Sequence, residues 1–166
     1  MTTVVGVTVR RAGEGDLDAV LSVGHRTWPP TYEPLAGADY VAMGLAKWWS
    51  AEATVPGIVA GRFTVAEVDG EIVGVASAGP LDGRLVLWKL YVLPGHQGEG
   101  FGAALLDAVV DEARGRYAQL RLAHLDGNEK AGRFYSRHGF VEVERETGSG
   151  GLPDSVWMER QLEDIE

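Results

Sequence analysis

Thirteen residues near the middle of the chain constrain its fold most: Leu90-Tyr91-Val92-Leu93-Pro94-Gly95-His96-Gln97-Gly98-Glu99-Gly100-Phe101-Gly102. The apolar run from Leu85 to Leu93 reads as a strand and stops at Pro94, which has no N–H for a ladder hydrogen bond. A glycine-rich turn follows, and an amphipathic helix opens at Gly100. Such a junction aims several unpaired backbone N–H groups at one point, at the positive end of a helix dipole. That point suits a phosphate group. The glycines let an anion approach the backbone closely.

The other elements follow from pattern and punctuation. Val4–Arg10 suits a first strand. Asp16 is placed to cap a helix running to Thr27, with Leu17, Val20, Leu21 and Gly24 on one face. The stretch Trp28-Pro29-Pro30-Thr31-Tyr32-Glu33-Pro34 holds three prolines, which argues against a regular helix there. A second helix is expected over Asp39–Ala51. Phe63–Glu67 and Glu71–Ala78 read as strands around the hairpin turn Val68-Asp69-Gly70. The helix of residues 100–114 is expected to bury Phe101, Ala104, Leu105, Ala108, Val109 and Glu112, the last breaking an apolar stripe. Tyr117–Leu125 is a strand, and Asn128–His138 a helix closed by Gly139. Phe140–Glu144 and Ser155–Gln161 are the last strands. This order predicts an α/β fold, a mixed sheet with helices on both faces. The crossover through the 100–114 helix is its parallel connection. No linker divides the chain, so one domain is expected over residues 4–162.

Composition removes several functions. A formal net charge of −9 opposes non-specific binding to nucleic acid or to anionic lipid. No apolar stretch approaches the roughly 20 residues that span a bilayer, and Met1–Arg10 lacks the pattern of a signal peptide. There is no cysteine, hence no disulfide framework and no thiolate metal site. These features fit a cytoplasmic protein with neither a membrane nor a nucleic-acid partner. No metal site is expected. A homodimer is allowed by the sequence and required by nothing in it.

The glycine turn alone is compatible with a plain strand-to-helix loop. It also matches a dinucleotide fingerprint, G-x-G-x-x-A, at Gly98, Gly100 and Ala103, with Asp126 downstream. Against that reading, the turn lies past the middle of the chain, and Pro94–Gln97 separate strand from glycines. A second cluster follows the next strand: Asn128-Glu129-Lys130-Ala131-Gly132-Arg133-Phe134-Tyr135-Ser136-Arg137-His138-Gly139-Phe140. Together the two stretches resemble the GNAT family, the Gcn5-related N-acetyltransferases. That family carries Q/R-x-x-G-x-G/A, here Gln97 to Gly102, and then N-x-x-A-x-x-F-Y-x-x-x-G-F, here Asn128, Ala131, Phe134, Tyr135, Gly139 and Phe140. The resemblance covers nearly the whole chain. It implies an α+β fold with a mixed, mostly antiparallel central sheet of six to seven strands flanked by about four helices.

It also implies acetyl-CoA, or another acyl-CoA, as donor to an amine acceptor, either a small molecule or a peptide. The pyrophosphate would rest on the N–H groups of Gln97, Gly98, Glu99, Gly100, Phe101 and Gly102, and Ala103 would also bind the cofactor. Relatives have a bulge in the preceding strand, so N–H groups at Leu90, Tyr91 and Val92 would hold the pantetheine arm and polarise the acyl carbonyl. Asn128, a good helix cap in its own right, would also reach the cofactor arm. Tyr135 would return a proton to the departing thiolate. Many relatives carry a glutamate base on the strand before the glycine loop, whereas this chain has no carboxylate from Leu85 to Leu93. His124 is the substitute of suitable chemistry, and a hydrogen-bonded structural histidine is the competing reading. His25, Glu33 and Glu67 are weaker candidates. Trp28 and Tyr32, beside prolines, are candidates for the acceptor pocket. Trp48 and Trp49 are expected to pack helices onto the sheet. A non-catalytic acyl-CoA-binding or sensing domain on the same fold is the alternative, and the missing carboxylate is what supports it.

Overall fold

The computed structural model describes residues 3–4 and 7–162. Val5 and Gly6, inside the strand expected over Val4–Arg10, lie outside the described residues. The strands are β1 (Thr3–Val4), β2 (Val7–Arg11), β3 (Phe63–Val68), β4 (Glu71–Leu81), β5 (Arg84–Val92), β6 (Gln119–Leu125), β7 (Val141–Glu146) and β8 (Ser155–Gln161). They form one sheet in the order β1-β2-β3-β4-β5-β6-β8-β7. Every neighbouring pair is antiparallel except β5 and β6. The helices are α1 (Leu17–Ala36), α2 (Ala38–Trp48), α3 (Ala51–Val59), α4 (Phe101–Ala113) and α5 (Glu129–Arg137). The expected order of elements holds, and two pieces are added to it: the two-residue β1, and α3.

Local chemistry explains the hairpins. Asp69 and Gly70 both take positive φ, 50° and 82°, as a two-residue type I′ turn requires. Asp82 and Gly83 repeat the device between β4 and β5, at 53° and 79°. Because β4 is covered by α1 on one face and α4 on the other, Ile72 to Ser77 are buried without alternation. Val65, Val73 and Val75 of the sheet and Leu105 and Leu106 of α4 are fully excluded from solvent and form the centre of the core.

Three local expectations are corrected. First, α1 continues through Pro29, Pro30 and Pro34 to Ala36. An interior proline costs about 3 kcal/mol locally, and tertiary packing offsets it. Trp28 is buried beneath Tyr40 and Trp48, and the Thr31 hydroxyl donates to the Thr27 carbonyl at 2.7 Å. Second, Asp16 does not cap α1 with its side chain. Both its oxygens accept from the Arg10 guanidinium, at 2.7 and 3.0 Å, and Arg10 also reaches Glu67 at 2.8 Å. Third, Glu112 is exposed and paired with Arg11. The buried face of α4 is instead Phe101, Leu105, Leu106, Val109, Val110 and Ala113, so the helix is rotated to leave the carboxylate in water.

The parallel pair positions the site. Strands β5 and β6 are in register only at Leu85–Leu120 and Val86–Arg121. Beyond those pairs they diverge, and a gap opens between the two strands.

Candidate active site

A cavity of about 680 Å³ occupies this gap. Strand β5 supplies one wall through Leu87, Trp88, Leu90, Tyr91 and Val92, and β6 supplies the other through Ala123 and His124. One end is closed by the glycine turn and the start of α4. The remaining sides come from Thr31 and Tyr32 of α1 and from Asn128, Phe134 and Tyr135 around α5.

At the glycine turn, residues 94–96 form a single 3-10 turn and α4 begins after Gly100. Gly98 and Gly100 stand at φ 81° and 92°, where a side chain is strained. A Cβ built on either would meet nothing within 4 Å, so the space above them is open. The Ala104 N–H bonds the Gly100 carbonyl at 3.0 Å, whereas Phe101, Gly102 and Ala103 begin the helix with N–H groups that have no intrahelical acceptor. The first turn carries no acidic side chain. The Gln97 amide bridges, donating to the Val92 carbonyl at 2.9 Å and accepting from Lys130 Nζ at 3.1 Å. Lys130, which sequence reasoning missed, thereby stands beside the anion-suited end. Its signal was its place two residues into the Asn128 motif.

The β5 register assigns the backbone groups that face the gap. The Leu93 N–H donates to Val73 of β4 at 2.8 Å, while the Val92 carbonyl points away from β4 and accepts from Gln97. Alternation then turns the N–H and C=O of Leu90 and Val92 into the gap and those of Tyr91 toward β4. Of the three expected N–H donors, Leu90 and Val92 are oriented for the role and Tyr91 is not. Against β4 the strand does bulge: Ser77 pairs with Lys89 and Ala78 with Leu87, leaving Trp88 as the extra residue. The bulge therefore lies upstream of the donors.

Tyr135 is held by the end of α5. The Phe140 N–H bonds the Tyr135 carbonyl at 3.1 Å, and Gly139, at φ 90°, bonds Ser136 at 3.2 Å. This is the paired bonding of a Schellman cap, and the Phe140 ring packs against Tyr135 with centroids 5.7 Å apart. Burial pushes the Tyr135 phenol above its ordinary range. His124 lies beside it, with ring centroids 6.5 Å apart and planes inclined at 28°. His124 Nδ1 lies 3.1 Å from the Leu125 carbonyl. A carbonyl only accepts, so the proton sits on Nδ1 and leaves the neutral ring's Nε2 with a lone pair. Gly132 makes room for that edge, since a Cβ there would stand 3.4 Å from Nε2. Asn128 does cap α5, its Oδ1 accepting from Ala131 at 3.4 Å, and it also lines the cavity.

The remaining candidates separate. Tyr32 lines the cavity, and its hydroxyl lies 2.8 Å from that of Tyr91. Burial pushes Tyr32 up to about 12 and Tyr91 well above its usual value. Trp28, only 4% exposed, lies behind this wall with its ring 4.4 Å from Tyr32, and is packing rather than lining. Trp49, as expected, is core. Glu67 is engaged by Arg10, and His25 Nε2 lies 3.4 Å from the Trp49 carbonyl. Neither of these, nor Glu33, lines the cavity.

Known proteins share this architecture. The solved PaiA N-acetyltransferase of Thermoplasma acidophilum, in complex with coenzyme A, superposes with a TM-score of 0.81 at 21% identity, over 93% of this chain and 98% of that one. The ribosomal-protein-S18-alanine N-acetyltransferase of Escherichia coli does so with a TM-score of 0.69 at 20% identity, over 96% of each. These likenesses establish the fold. In sequence, an uncharacterized N-acetyltransferase of Mycobacterium bovis is 34% identical over 130 residues, which cover 75% of this chain and 83% of that protein. The model of the acetyltransferase (GNAT) domain matches residues 60–142. On that sequence relationship the chain belongs to the GNAT family of N-acetyltransferases.

Proposed function

We propose that this enzyme moves an acetyl group from acetyl-CoA to a primary amine by direct attack in a ternary complex, within one domain over residues 4–162. The observation that carries the reading is that the open helix start at Gly98–Ala103 and the Tyr135 phenol line the same cavity. A fold neighbour holds coenzyme A, and the residues present suit that group. The glycine cradle is open, the first turn of α4 is free of acidic side chains, and Lys130 stands alongside.

When bound, acetyl-CoA supplies the acetyl group on a thioester and a thiol as leaving group. The N–H groups from Gln97 to Ala103 hold the diphosphate. Gap-facing N–H groups of Leu90 and Val92 hold the arm and polarise the acyl carbonyl. The free amide nitrogen of Asn128 donates to the same arm. As the new C–N bond forms and the C–S bond breaks, Tyr135 delivers its proton to the sulfur. A thiol has a pKa of about 8.5 and a phenol about 10, so Tyr135 is protonated at neutral pH, and burial keeps it so. The same burial makes a bare thiolate costly and strengthens its demand for a proton. The amine's proton passes to His124 Nε2. Tyr32 forms part of the acceptor wall.

Calorimetry with coenzyme A and thiol release from acetyl-CoA across an amine panel test this. The expected result is micromolar-range uptake and turnover with at least one amine. No uptake at millimolar coenzyme A sinks the proposal. Uptake without turnover on any amine makes the chain an acyl-CoA-sensing domain instead.

A further inference from the structure

None of the ionisable side chains lining the cavity is a carboxylate. They are His96, His124, Lys130, Arg137 and the phenols Tyr32, Tyr91 and Tyr135. Lys130 and the adjoining Gln97 belong to the anion-suited end. The wall made by α1, β5 and β6 carries the Tyr32 and Tyr91 phenols and the His124 imidazole, and α5 adds the Tyr135 phenol. Among the described residues, every side chain lining the cavity is neutral or basic, although the molecule as a whole has a formal charge of −9. Burial raises all three phenols, so none of them becomes an anion near neutrality.

From this lining we infer that the acceptor is the weakly basic α-amino group of a peptide or amino acid, and not an alkylamine, a lysine side chain or a polyamine. The inference rests on the acetyl-transfer reading above. An acceptor must be neutral to attack, and a cleft without carboxylates neither attracts an alkylammonium nor strips it efficiently. An α-amino group has a pKa of about 7.7–8.0, so roughly one in ten is neutral at pH 7; a lysine amine, near 10.4, is neutral roughly once in 2,500. His124 Nε2, with its lone pair, can take the single proton that a neutral amine sheds on attack, and no carboxylate lines the cavity to hold or deprotonate an alkylammonium. The Tyr32–Tyr91 hydroxyl pair adds neutral donors and acceptors of the kind that suit a peptide backbone.

The test compares two peptides of equal length with purified enzyme and acetyl-CoA. One has a free α-amine and no lysine. The other has a blocked N-terminus and a single lysine. Spermidine is a third acceptor. The expected result is at least a hundredfold higher kcat/KM for the free α-amine at pH 7. The margin should narrow roughly tenfold by pH 9, where the α-amine is already neutral and the lysine amine is gaining. Equal or better turnover of the lysine peptide or of spermidine overturns the inference and leaves the acetyl-transfer reading standing. Thiol release with none of the three, at saturating concentrations, overturns the inference. If coenzyme A uptake is absent as well, the parent reading falls with it.

Discussion

The Tyr32 hydroxyl lies 2.8 Å from the Tyr91 hydroxyl, a direct bond between the first helix and the strand that lines the cleft. Both phenols are partly buried at the cavity wall, and the bond satisfies a polar atom on each. Changing Tyr32→Phe leaves the Tyr91 hydroxyl without this partner. Losing that hydrogen bond should cost about 0.5–1.5 kcal/mol, read as a lower midpoint in urea unfolding. Coenzyme A affinity should hold, since the glycine turn is untouched, while KM for the acceptor rises. An unchanged unfolding midpoint would contradict the bond.

At Gly100 the backbone sits at φ 92° with open space where a side chain would go. Asp and Asn both tolerate this left-handed region better than other residues, so each should fold with a loss of about 1 kcal/mol. They differ in charge. Gly100→Asp places a carboxylate where the diphosphate would rest and should abolish coenzyme A binding in calorimetry. Gly100→Asn should weaken it far less. Equal affinities for the two variants would remove the anion role of the turn.

Tyr135→Phe keeps the ring that packs on Phe140 and removes the proton. Turnover should fall by about a hundredfold, within the range for loss of a general acid, with coenzyme A affinity nearly intact. Burial raises the phenol, so the wild-type rate should show no alkaline loss from this group below pH 10. Wild-type turnover in the variant would place the proton elsewhere.

Lys89 is half-buried between the rings of Trp49 and Phe63, 5.0 and 5.8 Å from its Nζ. Desolvation lowers its pKa to about 8 from 10.5. Between those values the unfolded chain holds the proton that the folded chain has released, so stability rises with pH across the window. The penalty is therefore largest below pH 8. Lys89→Met should stabilise the protein at pH 7 by about 1–2 kcal/mol, less than the full shift implies because the cation–π contact is also lost. The gain should disappear above pH 10.5. Thermal unfolding of the two proteins at pH 7 and pH 10.5 tests the sign.

Legibility followed the range of the interactions. Turns and caps are local, and the Asp69-Gly70 hairpin and the Gly139 cap stand where their residues predicted. Helix α3 was missed because Pro56 and Gly57 break its pattern, although Ser50, which caps it by accepting from Ala53, was a usable sign. The proline-rich end of α1 is illegible locally, because the aromatic packing that offsets the cost of its prolines comes from distant residues. Gly44 shows how fine that packing is, since a Cβ there would stand 2.1 Å from the Trp28 ring.

The sequence by itself determined the order of every element but β1 and α3, the glycine turn and the tyrosine helix, because each is written in neighbouring residues and in spacings a few residues long. Only the tertiary structure decided that β5 and β6 part after two residue pairs, that Leu90 and Val92 rather than Tyr91 turn their backbone into the gap, and that Trp28 lies behind Tyr32. Those facts depend on register and on packing between segments far apart in the chain. A shift of one residue in a strand reverses which groups face the cleft, and no local pattern records it.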